Sequence, residues 1–208
     1  MTIDILNIQG EKTGKTVELP ANIFGIEPNE HVLYLAVKQY LANQRQGTHK
    51  AKERSEVAGS TRKLHKQKGT GGSRKGDINS PLYPGGGRVF GPRVRDYEQK
   101  LNKKVKKLAR RSALSSKAKA GAIVVVEDFT FESPKTKDYL NVLKNLNIDG
   151  KKSLVVTADF NPSVHLSSRN LPTSRVIRAQ DLNTYEILKA NAIVLAAGSI
   201  EKLMESLA

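Results

Sequence analysis

The sequence predicts an α/β protein with a mainly parallel sheet flanked by helices, and a long extended basic loop inserted in the domain. Short apolar runs alternate with helical patterns along the chain, which is typical of layered α/β folds. Residues 122–126 form a continuous apolar run rich in β-branched side chains, as expected of a strand buried on both faces of a parallel sheet. We therefore expect residues 1–208 to form a single α/β globular domain, with residues 43–97 as the inserted loop.

The part of the chain before the loop predicts two strands and one helix. Alternating isoleucines in residues 3–8 indicate an opening strand, and residues 15–19 indicate a second strand after a turn at residues 10–14. Asn29 stands where its side chain can cap the first turn of a helix that continues to about residue 43. The apolar face of this helix is expected to carry Leu33, Val37, Tyr40 and Leu41.

After the loop, strand and helix patterns alternate to the end of the sequence. The predicted elements are a basic helix at 97–119, a strand at 122–126, a helix from Ser133-Pro134 to the turn Asp149-Gly150, strands at 154–157 and 176–177, a helix capped by Asn183 and running through Leu188, a strand at 192–197 and a final helix at 200–207. No internal repeat is visible.

Charge is distributed very unevenly. The chain has 35 Lys and Arg against 20 Asp and Glu, a net charge of +15, but 22 of the basic residues and only five of the acids lie between Arg45 and Lys119. The remainder holds 13 basic and 15 acidic residues and is nearly neutral. Such a surplus predicts a polyanionic partner, either nucleic acid or an acidic membrane surface.

The expected location is the cytoplasm. No secretory signal is visible at the N-terminus, and no apolar run approaches the roughly 18 residues that span a bilayer. Cysteine is absent, which excludes disulfides, thiolate zinc sites and a cysteine nucleophile.

The loop is poor in apolar side chains. Residues 43–93 contain ten glycines but only seven large apolar side chains, and neither a helical nor a strand period persists. So little apolar surface cannot offset the chain entropy lost on ordering, so we expect the loop to be disordered without RNA. Fully extended out and back, it could reach about 80 Å at roughly 3.3 Å per residue, which suits a segment threading through a folded RNA.

The basic helix at 97–119 has a narrow apolar stripe formed by Leu101, Val105, Leu108 and Ser112, with Ala109 beside it. Lysines and arginines cover its other faces without interleaved acids, so they repel one another. A solvated surface helix is the plain alternative, whereas RNA phosphates would relieve the repulsion. Loop and helix together give the predicted RNA-binding residues: Arg45, Lys50, Lys52, Arg54, Arg62, Lys63, Lys66, Lys68, Arg74, Lys75, Arg88, Arg93, Arg95, Lys100, Lys103, Lys104, Lys106, Lys107, Arg110 and Arg111.

Motifs that would indicate an enzyme fail on spacing or context. Residues 10–16 resemble a phosphate-binding loop but have one residue too few between the glycines and lie between two predicted strands. Residues 69–74 begin like a dinucleotide fingerprint, but Arg74 stands where the third glycine belongs. Glu127 and Asp128 follow a strand, where a polar strand end is the simpler interpretation. The four histidines have no partner at metal-ligand spacing, although His49 and His65 lie in the loop, where a ring could stack on a base. We predict no catalytic residue, no metal, no cofactor and no small-molecule substrate.

An ordered set of motifs resembles one known family. Gln67-Lys68-Gly69-Thr70-Gly71 is followed by Arg74, Gly76, Ser80-Pro81, Gly85-Gly86-Gly87, Gly91-Pro92-Arg93, Asp96-Tyr97 and Lys103-Lys104. This order is similar to that of the bacterial large-subunit ribosomal protein number four, and the flanking α/β pattern extends the resemblance over nearly the whole chain. Gly72-Ser73 depart from the Arg-Ala usual there, so this chain lacks that arginine.

The resemblance implies a structural, non-enzymatic constituent of the large ribosomal subunit. It implies large-subunit ribosomal RNA and neighbouring large-subunit ribosomal proteins as partners, no membrane partner, and a role early in subunit assembly. The loop tip would help line the nascent-peptide exit tunnel; its residues are Gln67, Lys68, Gly69, Thr70, Gly71, Gly72, Ser73 and Arg74. Some family members also repress their own operon by binding its messenger leader, and tip changes in some confer macrolide resistance.

Two other functions use the same features. An RNA-modifying enzyme, such as a methyltransferase with a basic RNA guide, would need a cofactor loop after an early strand, and would be stabilised by its cofactor in a thermal shift. A messenger-binding repressor would use the same basic surface, and its copy number would not match that of ribosomes.

Overall fold

The computed structural model describes residues 1–207, which divide into two compact units. The first, here called the globular unit, comprises residues 1–41 and the residues from Lys100 onward. The second, here called the loop unit, is Ala42–Gln99, whose bounds lie within two residues of the predicted loop.

The globular unit contains a six-stranded mixed sheet surrounded by helices. The strands are β1 Thr2–Leu6, β2 Lys12–Glu18, β3 Ile123–Val126, β4 Ser153–Thr157, β5 Ser174–Arg178 and β6 Ala192–Ala196. The helices are α1 Ala21–Phe24, α2 Glu30–Asn43, α3 Lys103–Lys119, α4 Thr136–Asn145, α5 Pro162–Ser168, α6 Thr184–Lys189 and α7 Ala197–Leu207, with a 3₁₀ turn at Ala179–Asp181. The strand order is β2-β1-β3-β6-β4-β5, and only β2 runs antiparallel to its neighbour. The predicted fold class is confirmed.

The sheet has a buried apolar cluster on each face because side chains alternate along a strand. On β3, Val125 faces a cluster with residues of α1, α3, α6 and α7, and Val126 faces a cluster with residues of α4 and α5. All five residues of β4 and of β6 are buried, since both strands lie inside the sheet. The result is a three-layer sandwich of helix, sheet and helix.

Local capping and turn chemistry follow the sequence. The Asn29 side chain accepts a hydrogen bond from Val32 N (3.1 Å), and Asn183 accepts one from Glu186 N (2.8 Å). Gly10 adopts a positive φ of 84° in the turn between β1 and β2, where a Cβ would lie 2.4 Å from Asn145 O. The segment that resembles a phosphate-binding loop therefore comprises the end of a hairpin turn and the first part of β2, with no helix N-terminus to bind phosphate.

Several features differ from the prediction. Helix α3 begins at Lys103 rather than Tyr97: residues 97–102 are not helical, and Gln99 N donates to Asn43 Oδ1 (2.8 Å) at the end of α2. Leu108 is exposed, since α3 buries its small residues Ala109, Ser112 and Ala113 instead. On α2, Ala36 and Gln39 are buried while Leu41 is exposed.

Helices α1 and α5 are absent from the prediction. Both are shorter than two and a half turns, so neither displays a helical period in the sequence. Asn161 followed by Pro162 is the signal that could have revealed α5, because its side chain accepts from Val164 N and proline suits a first helical position. Among residues 1–207, no helix combines the length and apolar character needed to cross a membrane.

Candidate nucleic-acid interface

The loop unit has almost no buried interior. Of its residues, only Asn79 and Gly87 are buried, and every residue from 58 to 74 is exposed. It contains no strand, and its only helical residues are the end of α2. Apolar burial, which stabilises most folded segments, therefore contributes little to its conformation.

The two legs of the loop unit are the segments before and after its tip, residues 67–74. Backbone hydrogen bonds join them at intervals. Ala51 N donates to Pro92 O (2.9 Å), Arg88 N to Lys52 O (2.9 Å), and Leu64 N to Gly76 O (2.9 Å). Close packing accompanies these bonds, since a Cβ added at Gly87 would lie 2.3 Å from Arg54 N. The glycines of the legs thus permit backbone-to-backbone approach within the loop.

Three of the loop's acids form ion pairs with predicted RNA-binding residues. The pairs are Arg54–Asp77 (2.8 Å), Arg93–Glu53 (2.5 Å) and Lys50–Glu56 (2.5 Å). The hydrogen bond from Lys50 is the main reason that the pKa of the Glu56 carboxyl is lowered. These three cations brace the legs, and each retains an exposed part of its side chain.

Tyr97 gathers three further side chains at the base of the loop unit. The Arg45 and Arg95 guanidinium carbons lie 3.9 and 4.7 Å from the ring centroid, and His49 Nε2 lies 2.8 Å from the hydroxyl. The His49 ring, a predicted candidate for stacking on a base, therefore contacts Tyr97 within the loop unit. Cation–π contacts of this kind orient arginines while leaving N–H groups for phosphate.

The loop tip, residues 67–74, is exposed throughout. Gly69 and Gly71 have positive φ values of 84° and 69°, and a Cβ added at either would meet no atom within 4 Å. Glycine is therefore favoured at these two positions by the backbone conformation, whereas in the legs it is required by close packing. A concavity of about 590 Å³ in the same unit is lined by Ser60, Arg62, Lys63, Leu64, His65, Lys66 and Ile78.

The first turn of α3 is a second concentration of charge. Lys103, Lys104 and Lys106 are exposed, the turn contains no acid, and Asn102 makes no side-chain capping bond. Cations at this end oppose the helix dipole, which favours negative charge there. An anion such as phosphate would find both the open amides of the turn and the lysines.

Farther along α3, the basic residues take part in packing. Arg111 donates to Leu207 O and its Nε is buried without a hydrogen-bond partner among the described residues. Burial lowers the pKa of Arg110, and Lys117 donates to Ala190 O (2.6 Å) with its pKa also lowered by burial. The structure therefore separates an exposed, cationic first turn from a second half that is packed in the globular unit.

The residues that would suggest catalysis have structural partners. Asp128 accepts from Gly198 N (3.1 Å) at the start of α7, and Glu127 pairs with Lys15 (3.3 Å). No cluster of His, Cys, Asp or Glu within residues 1–207 has the geometry to hold a metal ion. A concavity of about 680 Å³ lies at the carboxyl ends of β4 and β5, where Arg178 is paired with Asp181 (2.6 Å).

Comparison with known proteins places the chain in a family. The sequence model of the ribosomal protein L4/L1 family matches residues 17–206. The chain is 60 % identical over 207 residues to the large ribosomal subunit protein uL4 of Flavobacterium psychrophilum, covering 100 % of this chain and 99 % of the relative. It is 63 % identical over 200 residues to the protein of the same name from Parabacteroides distasonis, with 96 % of each covered. The chain therefore belongs to the ribosomal protein L4/L1 family.

Proposed function

We propose that the chain is a structural constituent of the large ribosomal subunit that binds large-subunit ribosomal RNA through the loop unit and the first turn of α3. The observation that carries this proposal is the loop unit itself, a cationic segment of 58 residues with two buried residues. A segment with so little buried surface gains its stability from a ligand, and its charge selects a polyanion. We propose that it orders on binding RNA.

The predicted RNA-binding residues divide by their surroundings. The cations that contact Tyr97 or pair with an acidic side chain hold the loop in position. They contact phosphate with their remaining N–H groups. Arg110 and Arg111 lie on the packed part of α3 and are not among the main phosphate contacts. The main phosphate contacts come from the exposed cations Lys52, Arg62, Lys66, Lys68, Arg74, Arg88, Lys100, Lys103, Lys104 and Lys106.

The finer roles follow from the family. The exposed tip, residues 67–74, lines the nascent-peptide exit tunnel, and early RNA binding supports subunit assembly in the cytoplasm. Neighbouring large-subunit ribosomal proteins are the expected protein partners. Binding of the chain's own messenger leader would use the same cations, so it remains a second candidate function.

Fractionation of a cell lysate on a sucrose gradient tests the structural role. We expect one copy of the protein per large subunit after a high-salt wash. Protein found mainly at the top of the gradient would contradict the role and favour the repressor or the RNA-modifying enzyme. A thermal shift with a methyl-donor cofactor separates those two, because only the enzyme is stabilised.

Charge removal from α3 tests its first turn. Changing Lys103, Lys104 and Lys106 to Gln removes three exposed cations, and should reduce the slope of log affinity against log salt by about 3 if each contacts one phosphate. The matched control changes Lys135, Lys137 and Lys144 to Gln, which removes the same charge from exposed positions at and near α4. Equal effects of the two triple variants would mean that only net charge matters.

A further inference from the structure

A three-residue bulge in the loop unit presents Phe90 to solvent. The hydrogen bonds Ala51 N to Pro92 O and Arg88 N to Lys52 O tie the two legs together on either side of it. The two bonds are one residue apart on the first leg, at positions 51 and 52, and four residues apart on the second, at positions 88 and 92. Residues 89–91 therefore have no bonded counterpart on the first leg. Unpaired residues of this kind re-aim a side chain away from the pairing.

The backbone of the bulge holds Phe90 in a conformation that an aromatic residue seldom adopts. Its φ is +52°, one of only two positive values among the non-glycine residues described, and its side chain is fully exposed. The inner side of the bulge is filled, because a Cβ at Gly91 would lie 2.6 Å from Ala51 Cβ. Glycine would suit this φ better. A phenyl ring on a strained backbone with no buried contact indicates a ligand.

The two tyrosine rings of the loop unit are already engaged. Tyr97 contacts two arginines and His49, and Tyr83 is half-buried with Lys75 Nζ 5.9 Å from its centroid. Phe90 differs from both, since it is exposed on all sides. Its ring carries no hydrogen-bonding group, so only its flat faces and its apolar area can recognise a partner.

We propose that Phe90 stacks on an unpaired base of the large-subunit ribosomal RNA, an inference that rests on the proposed function. The exposed Arg88 and Arg93 flank the bulge and favour a ligand that brings phosphates beside an apolar face. A nucleotide has both, whereas an apolar pocket on a protein has no charge for the arginines. Because every base has a π-face, stacking contributes affinity with little sequence preference.

Affinity for deproteinised large-subunit ribosomal RNA, measured by filter binding between 50 and 200 mM salt, tests the proposal. Phe90→Leu keeps an apolar side chain without a π-face and Phe90→Gly relieves the backbone, while Phe90→Trp keeps a ring. We expect the Leu and Gly variants to bind about 5- to 150-fold more weakly at every salt concentration, and the Trp variant to bind as the wild type does.

The salt slope distinguishes this contact from the phosphate contacts. Loss of stacking lowers affinity with an unchanged slope, whereas the Lys103, Lys104, Lys106 variant changes the slope. Wild-type affinity retained by Phe90→Leu would overturn the proposal, and a loss seen only in assembled subunits would assign Phe90 to a protein pocket instead. Failure of the wild type to bind with steep salt dependence would instead contradict the proposed function.

Discussion

The globular unit and the loop unit differ in the interactions that hold their conformations. In the globular unit, two apolar clusters fill both faces of a sheet whose inner strands β4 and β6 are buried at every position. In the loop unit, backbone hydrogen bonds, three ion pairs and the Tyr97 cluster define the legs. One unit contains a large buried apolar surface, and the other contains almost none.

The difference explains where the charge lies. Cations in the globular unit that lose solvent are penalised, as the lowered pKa values of Arg110 and Lys117 illustrate. Cations on the tip are exposed to solvent, so their concentration there has no cost of burial. A coreless segment can therefore carry a charge density that a packed domain would not tolerate.

The largest effect should come from salt, which acts on RNA binding by the loop unit and the first turn of α3 rather than on the core of the globular unit. If six to ten phosphates are contacted, affinity for large-subunit ribosomal RNA should fall roughly 10³–10⁵-fold between 50 and 200 mM salt. The urea midpoint of the isolated protein, which reports on the globular unit, should change little over the same range. Binding that is insensitive to salt would contradict phosphate contact as the source of affinity.

Removing apolar surface should affect the two units very differently. Leu195 is fully buried on β6 and Leu82 is 89 % exposed in the loop unit. Leu195→Ala should lower the free energy of unfolding by about 2–5 kcal/mol, because it removes buried methyl groups and leaves a cavity. Leu82→Ala should leave it unchanged, as urea unfolding followed by circular dichroism would measure. A comparable loss from Leu82→Ala would mean that the loop unit has an apolar core.

Tyr139 should make the globular unit sensitive to high pH. Burial raises the pKa of its phenol to about 12, although the hydrogen bond with Ser174 Oγ (2.6 Å) opposes the shift. The folded state therefore holds this proton more tightly than the unfolded state, whose pKa is near 10. The resulting stability, roughly 2–3 kcal/mol, is present below pH 10 and is lost as pH rises through 12.

The control for this pH dependence is Tyr139→Phe, which cannot ionise. The difference in unfolding free energy between wild type and variant should shrink or reverse from pH 10 to 12, measured by urea titration at each pH. A difference that stays constant across this range would show that Tyr139 ionises equally easily in both states.

The smallest effect should come from adding a single methyl group to a glycine of the loop unit. A Cβ at Gly86 would lie 1.9 Å from Ser80 O, whereas one at Gly72 would meet nothing within 4 Å. Gly86→Ala should open the turn that ends in the Gly87 N to Asn79 O bond, and weaken RNA binding by about tenfold, since overpacking costs about 1–3 kcal/mol. Gly72→Ala should bind as the wild type does. Hydrogen exchange at the Gly87 amide checks the structural cause, and equal exchange in both variants would refute it.

Much of the globular unit is predictable because its signals are local. The Asn29 and Asn183 caps, the turn at Gly10 and the apolar run of β3 are each encoded within a few residues. The N-terminus of α3 is different, since the pattern from Tyr97 onward is helical but the helix begins at Lys103, and the backbone N–H of Gln99 bonds to the distant Asn43 side chain. Local propensity is a weak determinant when a distant segment competes for the same backbone groups.

The sequence by itself determined the fold class, the position of the loop and the sign of its partner, because periodicity, composition and charge are properties of the chain. The tertiary structure alone decided which cations are exposed, which brace the loop and which are packed, as the contrast between Lys104 and Arg111 on one helix shows. It also decided that Tyr97 is engaged while Phe90 is presented to solvent. Composition assigns a residue its chemistry, but only contacts between distant segments decide whether that chemistry is used within the protein or offered to a partner.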